Sequence, residues 1–191
     1  MPREKNFDVD VALAEAGKTF WSQGYEATSM LDLLAAMGIQ KASFYDTYGS
    51  KKEAYLRSLQ QYADSRFTFF SQLIDGMAPK ESICALINQI YEECISADGH
   101  NGCMVINCAL ELAHSDLDAQ RVVQRALEAH ENSFAELVSA GQQVGEISSE
   151  LNAAATGKAM LAMLMGMRVF ARAGATPGAL RSLADQVLRL I

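Results

Sequence analysis

One stretch, Thr28 to Lys51, restricts the possible folds of this chain more than any other. It reads Thr-Ser-Met-Leu-Asp-Leu-Leu-Ala-Ala-Met-Gly-Ile-Gln-Lys-Ala-Ser-Phe-Tyr-Asp-Thr-Tyr-Gly-Ser-Lys. The pattern predicts two short helices joined by a tight turn. Ser29 can cap the first, because its hydroxyl accepts from a first-turn N–H that has no partner inside the helix. Leu33, Leu34 and Met37 recur at helical spacing and form an apolar face. Gly38 falls where that helix must end, and glycine enters the left-handed conformation without steric cost. Ile39 follows as an apolar residue placed to pack between the two helices. The second helix, Gln40 to about Tyr48, turns Phe44 inward and presents Gln40, Lys41, Ser43, Tyr45 and Thr47. On pattern alone, an ordinary helical hairpin with a glycine turn fits equally well.

The outward surface of the second helix is small, polar and, apart from Asp46, not acidic. Such a helix suits the width of a DNA major groove. Three runs at fixed spacing carry more information. They are Gly-Tyr-x-x-Thr-Ser-x-x-x-Leu from Gly24, Ala-x-Met-Gly-Ile from Ala35, and Ser-Phe-Tyr-x-x-Tyr-Gly-Ser-Lys from Ser43. Together they resemble the DNA-binding domain of the TetR family of bacterial transcriptional regulators, over Phe7 to Tyr55. The resemblance implies an all-α fold, with an N-terminal three-helix DNA-binding head containing a helix-turn-helix and a C-terminal helical bundle that forms the dimer. The division expected here is residues 1–52 for DNA binding and 53–191 for effector binding and dimerisation. The implied function is sequence-specific regulation of transcription, as a repressor released by a small-molecule or reactive-species signal, and not as an enzyme. Its implied partners are a roughly palindromic double-stranded DNA operator, a second copy of the chain and a small-molecule effector of unknown identity.

The expected DNA-binding residues are Ser29, Gln40, Lys41, Ser43, Tyr45, Thr47, Tyr48 and Lys51. Gln40, Lys41 and Ser43 lie near the start of the second helix and are the expected base readers. Gln40 can pair bidentately with adenine, and Lys41 can reach guanine O6 and N7. Ser29, Tyr45, Tyr48 and Lys51 are the expected phosphate partners, Lys51 because the resemblance places its motif position near a phosphate. Gln40 departs from the family pattern, since many members carry a better N-capping residue there.

Charge gives this reading little support. The formal net charge is −7. Residues 1–60 hold seven basic groups (Arg3, Lys5, Lys18, Lys41, Lys51, Lys52, Arg57) against eight acidic ones. Distribution compensates in part: Lys41, Lys51 and Lys52 cluster around the second helix and the start of the next, and Arg3 and Lys5 fall in a free tail. Hydroxyls and helix N-termini also bind phosphate without appearing in a charge count. The expected non-specific affinity and salt slope are therefore modest. Half the residues are hydrophobic, enough for a sizeable core. No apolar run is long enough to span a membrane, and the N-terminus shows no apolar segment of a secretory signal. Cys84, Cys94, Cys103 and Cys108 include no C-x-x-C pair, which points to reduced thiols and a cytoplasmic location.

In chain order, the periodicity predicts a first helix from Asp8, its cap, to about Gln23, with Val9, Leu13, Ala16 and Phe20 on one face and Trp21 and Tyr25 packing it onto its neighbours. A fourth helix starts at a Ser50/Glu53 capping box and is expected to end before the aromatic cluster Phe67, Phe69, Phe70. Further helices are expected over Lys80–Ser96, Cys103–His114, Asp116–Gly141, Leu151–Ala173 and Ala179–Leu190. The breaks between them are Gly76–Pro79, Ala97–Gly102, Gly145–Glu150 and Thr176–Gly178. The Leu151–Ala173 helix is apolar nearly all round over Ala159–Met167, so it must be covered on every side. Either it is a wholly intramolecular central helix or a second subunit covers one face; the resemblance favours the second.

Tests for chemistry leave few candidates. Glu111 and His114 have the Glu-x-x-His spacing of helical di-iron sites, which makes a helical-bundle metal-dependent oxidoreductase the alternative function. A second such motif is absent. The sequence has no Gly-rich phosphate loop, Gly-x-Ser-x-Gly elbow or zinc-spaced Cys/His set, and neither a cofactor nor a metal is expected. An effector pocket or sensor is expected to involve Cys103, Asn107, Phe70, Tyr91, Met163 and Met167. Cys103 should lie in a first helical turn, where N–H groups and the helix dipole favour a thiolate; the family resemblance adds that some members sense electrophiles or oxidants. The other reading of Cys103 is a small buried thiol that packs like alanine, with a non-covalent apolar or amphipathic effector beside it.

Overall fold

The computed structural model describes residues 7–191; Arg3 and Lys5 lie outside the described residues. Among the described residues there are nine α-helices and no strand. The helices are α1 (Val9–Gln23), α2 (Met30–Met37), α3 (Lys41–Tyr48), α4 (Lys51–Leu73), α5 (Pro79–Ile95), α6 (Met104–Glu111), α7 (Leu117–Gln143), α8 (Ala153–Arg172) and α9 (Pro177–Leu188). None is long and apolar enough to cross a membrane. The chain divides into two compact units: residues 7–65 with Met104–Gln124, and Arg66–Cys103 with Arg125–Ile191.

In the first unit, local signals set the helix ends. Asp8 caps α1, accepting from the N–H groups of Asp10 and Val11 at 2.9 and 3.1 Å. Ser29 caps α2 by accepting from Asp32 N–H at 3.1 Å, and Asp32 accepts from Ser29 N–H at 2.9 Å. Gly38 ends α2 in the left-handed region, at φ 64° and ψ 28°. The N–H of Ile39 then reaches the Leu34 carbonyl at 3.3 Å, so the turn is closed by the α2 carbonyls that a helix end leaves unpaired. Leu33, Phe44 and Tyr48 are completely buried with Ala16 and Phe20 of α1. Phe20 meets Tyr55 edge to face at 5.0 Å, and Trp21 lies 5.9 Å from Tyr62. α6 belongs to this unit and packs on α1.

The second unit is built on α5, α8 and α9, which pack against one another. Its core contains Ile83, Ile87, Ile90, Phe134, Val138, Met160, Leu164, Met167 and Leu180. α7 meets α8 closely at Gly157, where a Cβ would stand 2.7 Å from the Ala135 backbone nitrogen. One face of α8 (Met160, Leu161, Leu164, Met167, Arg168, Ala171) is buried in this core. The opposite apolar face is open: Ala159 and Ala162 are exposed, Val169 is 45% and Phe170 55% exposed. The helix that the sequence requires to be covered all round is thus covered on one side by its own chain.

Two boundaries differ from expectation. α4 does not end before the aromatic cluster; it runs through Phe67, Phe69 and Phe70 to Leu73. No Gly or Pro interrupts it there, and aromatic residues lower helix propensity only slightly. The Thr176-Pro177-Gly178 segment opens α9 and does not close α8, which already ends at Arg172. Thr176 accepts from Ala179 N–H at 3.3 Å, and Pro177 takes the first helical position, where a missing N–H costs nothing.

Candidate nucleic-acid interface

The site is the outer face of α3 with the caps around it. Phe44 and Tyr48 anchor the helix from inside, four residues apart, with ring centroids 5.4 Å from each other. Their burial leaves Gln40, Lys41 and Tyr45 exposed and Ser43 and Thr47 half-buried. The Gln40 side chain makes no capping bond, so its amide stays available to a base edge. Arg57 donates to the Thr47 carbonyl at 3.2 Å, satisfying a carbonyl in the last turn of α3. Gly49, at φ 76°, sits against the Glu53 carboxylate in a space that a Cβ would fill. Glu53 N–H in turn donates to Ser50 Oγ at 3.1 Å, which is the serine half of the expected capping box.

The phosphate partners are placed unequally. Ser29 is exposed at the N-terminus of α2, where N–H groups and the helix dipole favour an anion. The Lys51 ammonium donates to the Glu26 carbonyl at 3.5 Å and lies 4.5 Å from the Tyr25 ring centroid. Among the described residues no ion pair neutralises its charge. Lys52 is spent inside the molecule, on Asp116 at 2.7 Å and Asp118 at 3.7 Å. Tyr48 requires a correction. Its ring is fully buried and its hydroxyl donates to the Val9 carbonyl at 2.8 Å, so it ties α3 to α1 instead of facing outward. The hydroxyl moves inward because the tyrosine shares the buried face of Phe44.

Two residues support the head in ways the sequence reading does not anticipate. Asp32 completes the α2 cap, and a Ser-x-x-acid spacing could have revealed it. Glu111 gave no such signal. Its carboxylate accepts from the N–H groups of Tyr25 and Glu26 at 3.0 and 2.8 Å, pinning the loop after α1 from a position 85 residues distant in sequence. This also corrects the metal alternative. Glu111 is committed to backbone donors, His114 is exposed in the turn after α6, and no group of three His, Cys, Asp or Glu side chains among the described residues could hold a metal ion.

The residues expected around an effector are drawn from both units. Phe70, Tyr91, Met163 and Met167 belong to the second unit, Asn107 to the first. Phe70 lies 6.0 Å from the His130 ring, Tyr91 lies under the Arg181 guanidinium at 5.2 Å, and Met167 is in the core. Cys103 is not in the first turn of α6; it precedes Met104 and is buried. The Gly99–Asn101 segment forms a 3-10 turn, and Gly102 at φ 69° sets the chain direction into Cys103, which shifts the helix start by one residue.

Comparison with known proteins agrees with this geometry. Residues 12–56 match the family described as bacterial regulatory proteins, tetR family, and residues 79–187 match the tetracyclin repressor-like, C-terminal domain. The HTH-type transcriptional repressor ComR of Escherichia coli (strain K12) is 30% identical over 191 residues, covering 98% of this chain and 90% of ComR. The uncharacterized HTH-type transcriptional regulator YezE of Bacillus subtilis (strain 168) is 29% identical over 154 residues, 78% of each chain. Two solved structures share the fold. A cysteine mutant of the TetR family regulator CifR, complexed with 26 bp double-strand operator DNA, has a TM-score of 0.86 at 24% identity, covering 98% of both chains. The regulatory protein TetR from Rhodobacter sphaeroides has a TM-score of 0.85 at 24% identity, covering 95% of this chain and 97% of that one. With both halves matched and a full-length relative at this identity, the chain belongs to the TetR family of bacterial helix-turn-helix transcriptional regulators.

Proposed function

We propose that this regulator is a cytoplasmic, non-enzymatic repressor that binds a roughly palindromic operator as a homodimer and leaves it when an effector occupies the C-terminal bundle. The observation that carries the reading is the outer face of α3, where Gln40, Lys41 and Tyr45 are exposed because Phe44 and Tyr48 fix the helix from behind. Residues 1–52 read DNA and residues 53–191 dimerise and bind the effector. Gln40, Lys41 and Ser43 contact base edges; Ser29, Tyr45 and Lys51 contact phosphates, and Thr47 lines the same surface. The open apolar face of α8, with Ala162, Val169 and Phe170, supports pairing with a second subunit, which a two-half-site operator requires.

Random-duplex selection with the purified protein, followed by titration of the selected site, tests the DNA reading. The expected product is a site with two inverted halves about one helical turn apart, or a small multiple of that. Selection of no preferred sequence overturns it. Sedimentation tests the dimer: the expected species is a dimer that Phe170→Glu converts to a monomer, and a monomeric parent chain at micromolar concentration contradicts the assignment. Thiol sensing by Cys103 is a separate reading, supported by its place beside a helix start. Hypochlorite should release DNA from the parent chain and not from Cys103→Ser. Retained binding in both, at doses that modify Cys103, leaves the non-covalent pocket as the signal site.

A further inference from the structure

Within the first unit, the loop between α1 and α2 is held by a side chain from a distant part of the chain. Glu111, the last residue of α6, accepts from the N–H groups of Tyr25 and Glu26 at 3.0 and 2.8 Å. Both residues lie past the end of α1, so their N–H groups need an acceptor from elsewhere. A carboxylate that takes two such donors makes bonds of the stronger, charge-assisted kind. Gly24 lets the carboxylate come close: it is at φ 92°, and a Cβ there would stand 3.2 Å from a Glu111 oxygen. The Thr28 hydroxyl donates to the Gly24 carbonyl at 2.6 Å and closes the other side of the loop. Just beyond Glu111, Asp116 receives Lys52 at 2.7 Å and caps α7 by accepting from the N–H groups of Asp118 and Ala119, both at 3.0 Å. The corner between α6 and α7 is thereby tied to the loop and to the first turn of α4.

The two loop residues that Glu111 holds are the two that carry Lys51. The Lys51 ammonium donates to the Glu26 carbonyl at 3.5 Å and stands 4.5 Å from the Tyr25 ring centroid. The Tyr25 ring in turn rests against Tyr55, with centroids 4.9 Å apart. A lysine has a flexible four-carbon stem, and ordering it on binding costs conformational entropy. A lysine already placed gives up less of that freedom when it meets a phosphate.

We propose that Glu111 is a positioning residue for DNA binding: its carboxylate fixes Tyr25 and Glu26, and they hold the Lys51 ammonium where a phosphate meets it. This rests on the reading of Lys51 as a phosphate contact. The sign of the effect separates positioning from plain electrostatics. Removing a negative charge from the head tightens its grip on a polyanion; removing the latch loosens it. The loss is equal for all sequences, because a phosphate contact carries no sequence information.

The test is anisotropy titration of the full chain with the selected duplex and with a scrambled duplex of the same length, at several salt concentrations. Trp21 fluorescence checks that each variant is folded at the assay temperature. Glu111→Gln keeps the side-chain volume but offers one acceptor oxygen in place of two. It should weaken binding to both duplexes by about tenfold and lower the salt slope by about 1, as Lys51→Ala does. The double variant Glu111→Gln/Lys51→Ala should bind within about twofold of Lys51→Ala alone, because nothing is left to position. Glu111→Asp keeps the charge but is shorter by one methylene; it should fall between the parent chain and Glu111→Gln, and it replaces Glu111→Gln in every comparison if that variant does not fold. Binding as tight as the parent's or tighter overturns the proposal. So does weaker binding with an unchanged salt slope, or losses that add in full in the double variant, since either marks Glu111 as structural support alone. Lys51→Ala that binds like the parent removes the phosphate reading and the latch together. A normal loss in Lys51→Ala beside parent-like Glu111→Gln removes the latch alone.

Discussion

Around Tyr55 the first unit buries phenols and a thiol; around Glu93 the second buries a carboxylate between two guanidinium groups. Tyr55 and Cys108 are hydrogen-bonded partners, and burial raises the pKa of both. Tyr25 and Tyr48 are also raised, chiefly by burial. In the second unit, the Arg168 charge and hydrogen bonds from Arg66, Gln89 and Arg168 outweigh burial, and the Glu93 carboxyl is lowered. The difference teaches that these helical units fix their interiors in two ways. One uses neutral groups that satisfy themselves in pairs or on backbone carbonyls. The other uses charges that hold only while all partners remain.

The sharpest way to break the comparison is to remove one anchor from each unit. Phe44→Ala should cost ~3–5 kcal/mol through the cavity it opens and should also abolish DNA binding. Arg168→Ala should destabilise less, by about 1.5–3 kcal/mol, because it removes a charged hydrogen bond to Glu93 while Arg66 still pairs that carboxylate. The single tryptophan, Trp21, lies in the first unit, so its fluorescence reports that unit while far-UV circular dichroism reports both. Phe44→Ala should lower the fluorescence-detected urea midpoint, and Arg168→Ala the dichroism-detected one. Identical shifts by both probes would show that the two units unfold as one.

A smaller effect is expected at the α7–α8 contact. Gly157→Ala would gain helix propensity, but its Cβ meets the Ala135 backbone, which cannot swing aside. A net loss of about 1–3 kcal/mol is expected, measured by urea unfolding. A gain in stability would show that α8 can move off α7 freely.

pH should separate the units by sign. The Glu93 and His130 pKa values are lower in the fold than their ordinary values of 4.5 and 6.5. Acid therefore protonates the unfolded chain first, and stability falls as pH drops below about 6.5 for His130 and again below about 4.5 for Glu93. Tyr25, Tyr48, Tyr55 and Cys108 are raised, so their contribution is present below the ordinary tyrosine and cysteine values and is lost as pH rises through and above them. Cys94 adds one such alkaline group to the second unit, while Asp32 and Asp116 of the first, half-buried and lowered by their hydrogen bonds, add an acid-sensitive contribution there only below about 3.8. Acid should move the dichroism signal before Trp21 fluorescence, and alkali should reverse that order. The same order at both extremes would remove the contrast.

The least effect on stability, and the most specific effect on function, is expected from Lys51→Ala and Gln40→Ala. Lys51→Ala should weaken binding to all duplexes alike and reduce the salt slope by about 1. Gln40→Ala should relax preference at one operator position. Anisotropy titrations at several salt concentrations distinguish the two, and unchanged binding in both variants would remove these residues from the interface.

The helix-turn-helix was legible because every signal in it is local. Ser29, Gly38, Phe44 and the alternation of polar and apolar residues act over a turn or two of chain, the range over which caps and periodicity operate. The caps at Asp8 and the break at Gly76–Pro79 were legible for the same reason. Three features were not. Tyr48 is expected as a phosphate partner, but its ring shares the buried face with Phe44 and its hydroxyl donates to the Val9 carbonyl. Glu111 was read for its spacing to His114, while its partners are N–H groups of the loop after α1. Cys103 was assigned to a helical turn that begins one residue later.

By itself, then, the sequence determined the helical class, the reading-head motif and its turn, since hydrophobic period and capping chemistry are properties of neighbouring residues. Only the tertiary structure decided which charges are spent and which remain. Lys52 is consumed by Asp116, Arg66 and Arg168 converge on Glu93 from separate helices, and α8 keeps an apolar face open. Those outcomes depend on groups distant in the chain arriving within hydrogen-bond or contact distance, and no local pattern encodes that approach.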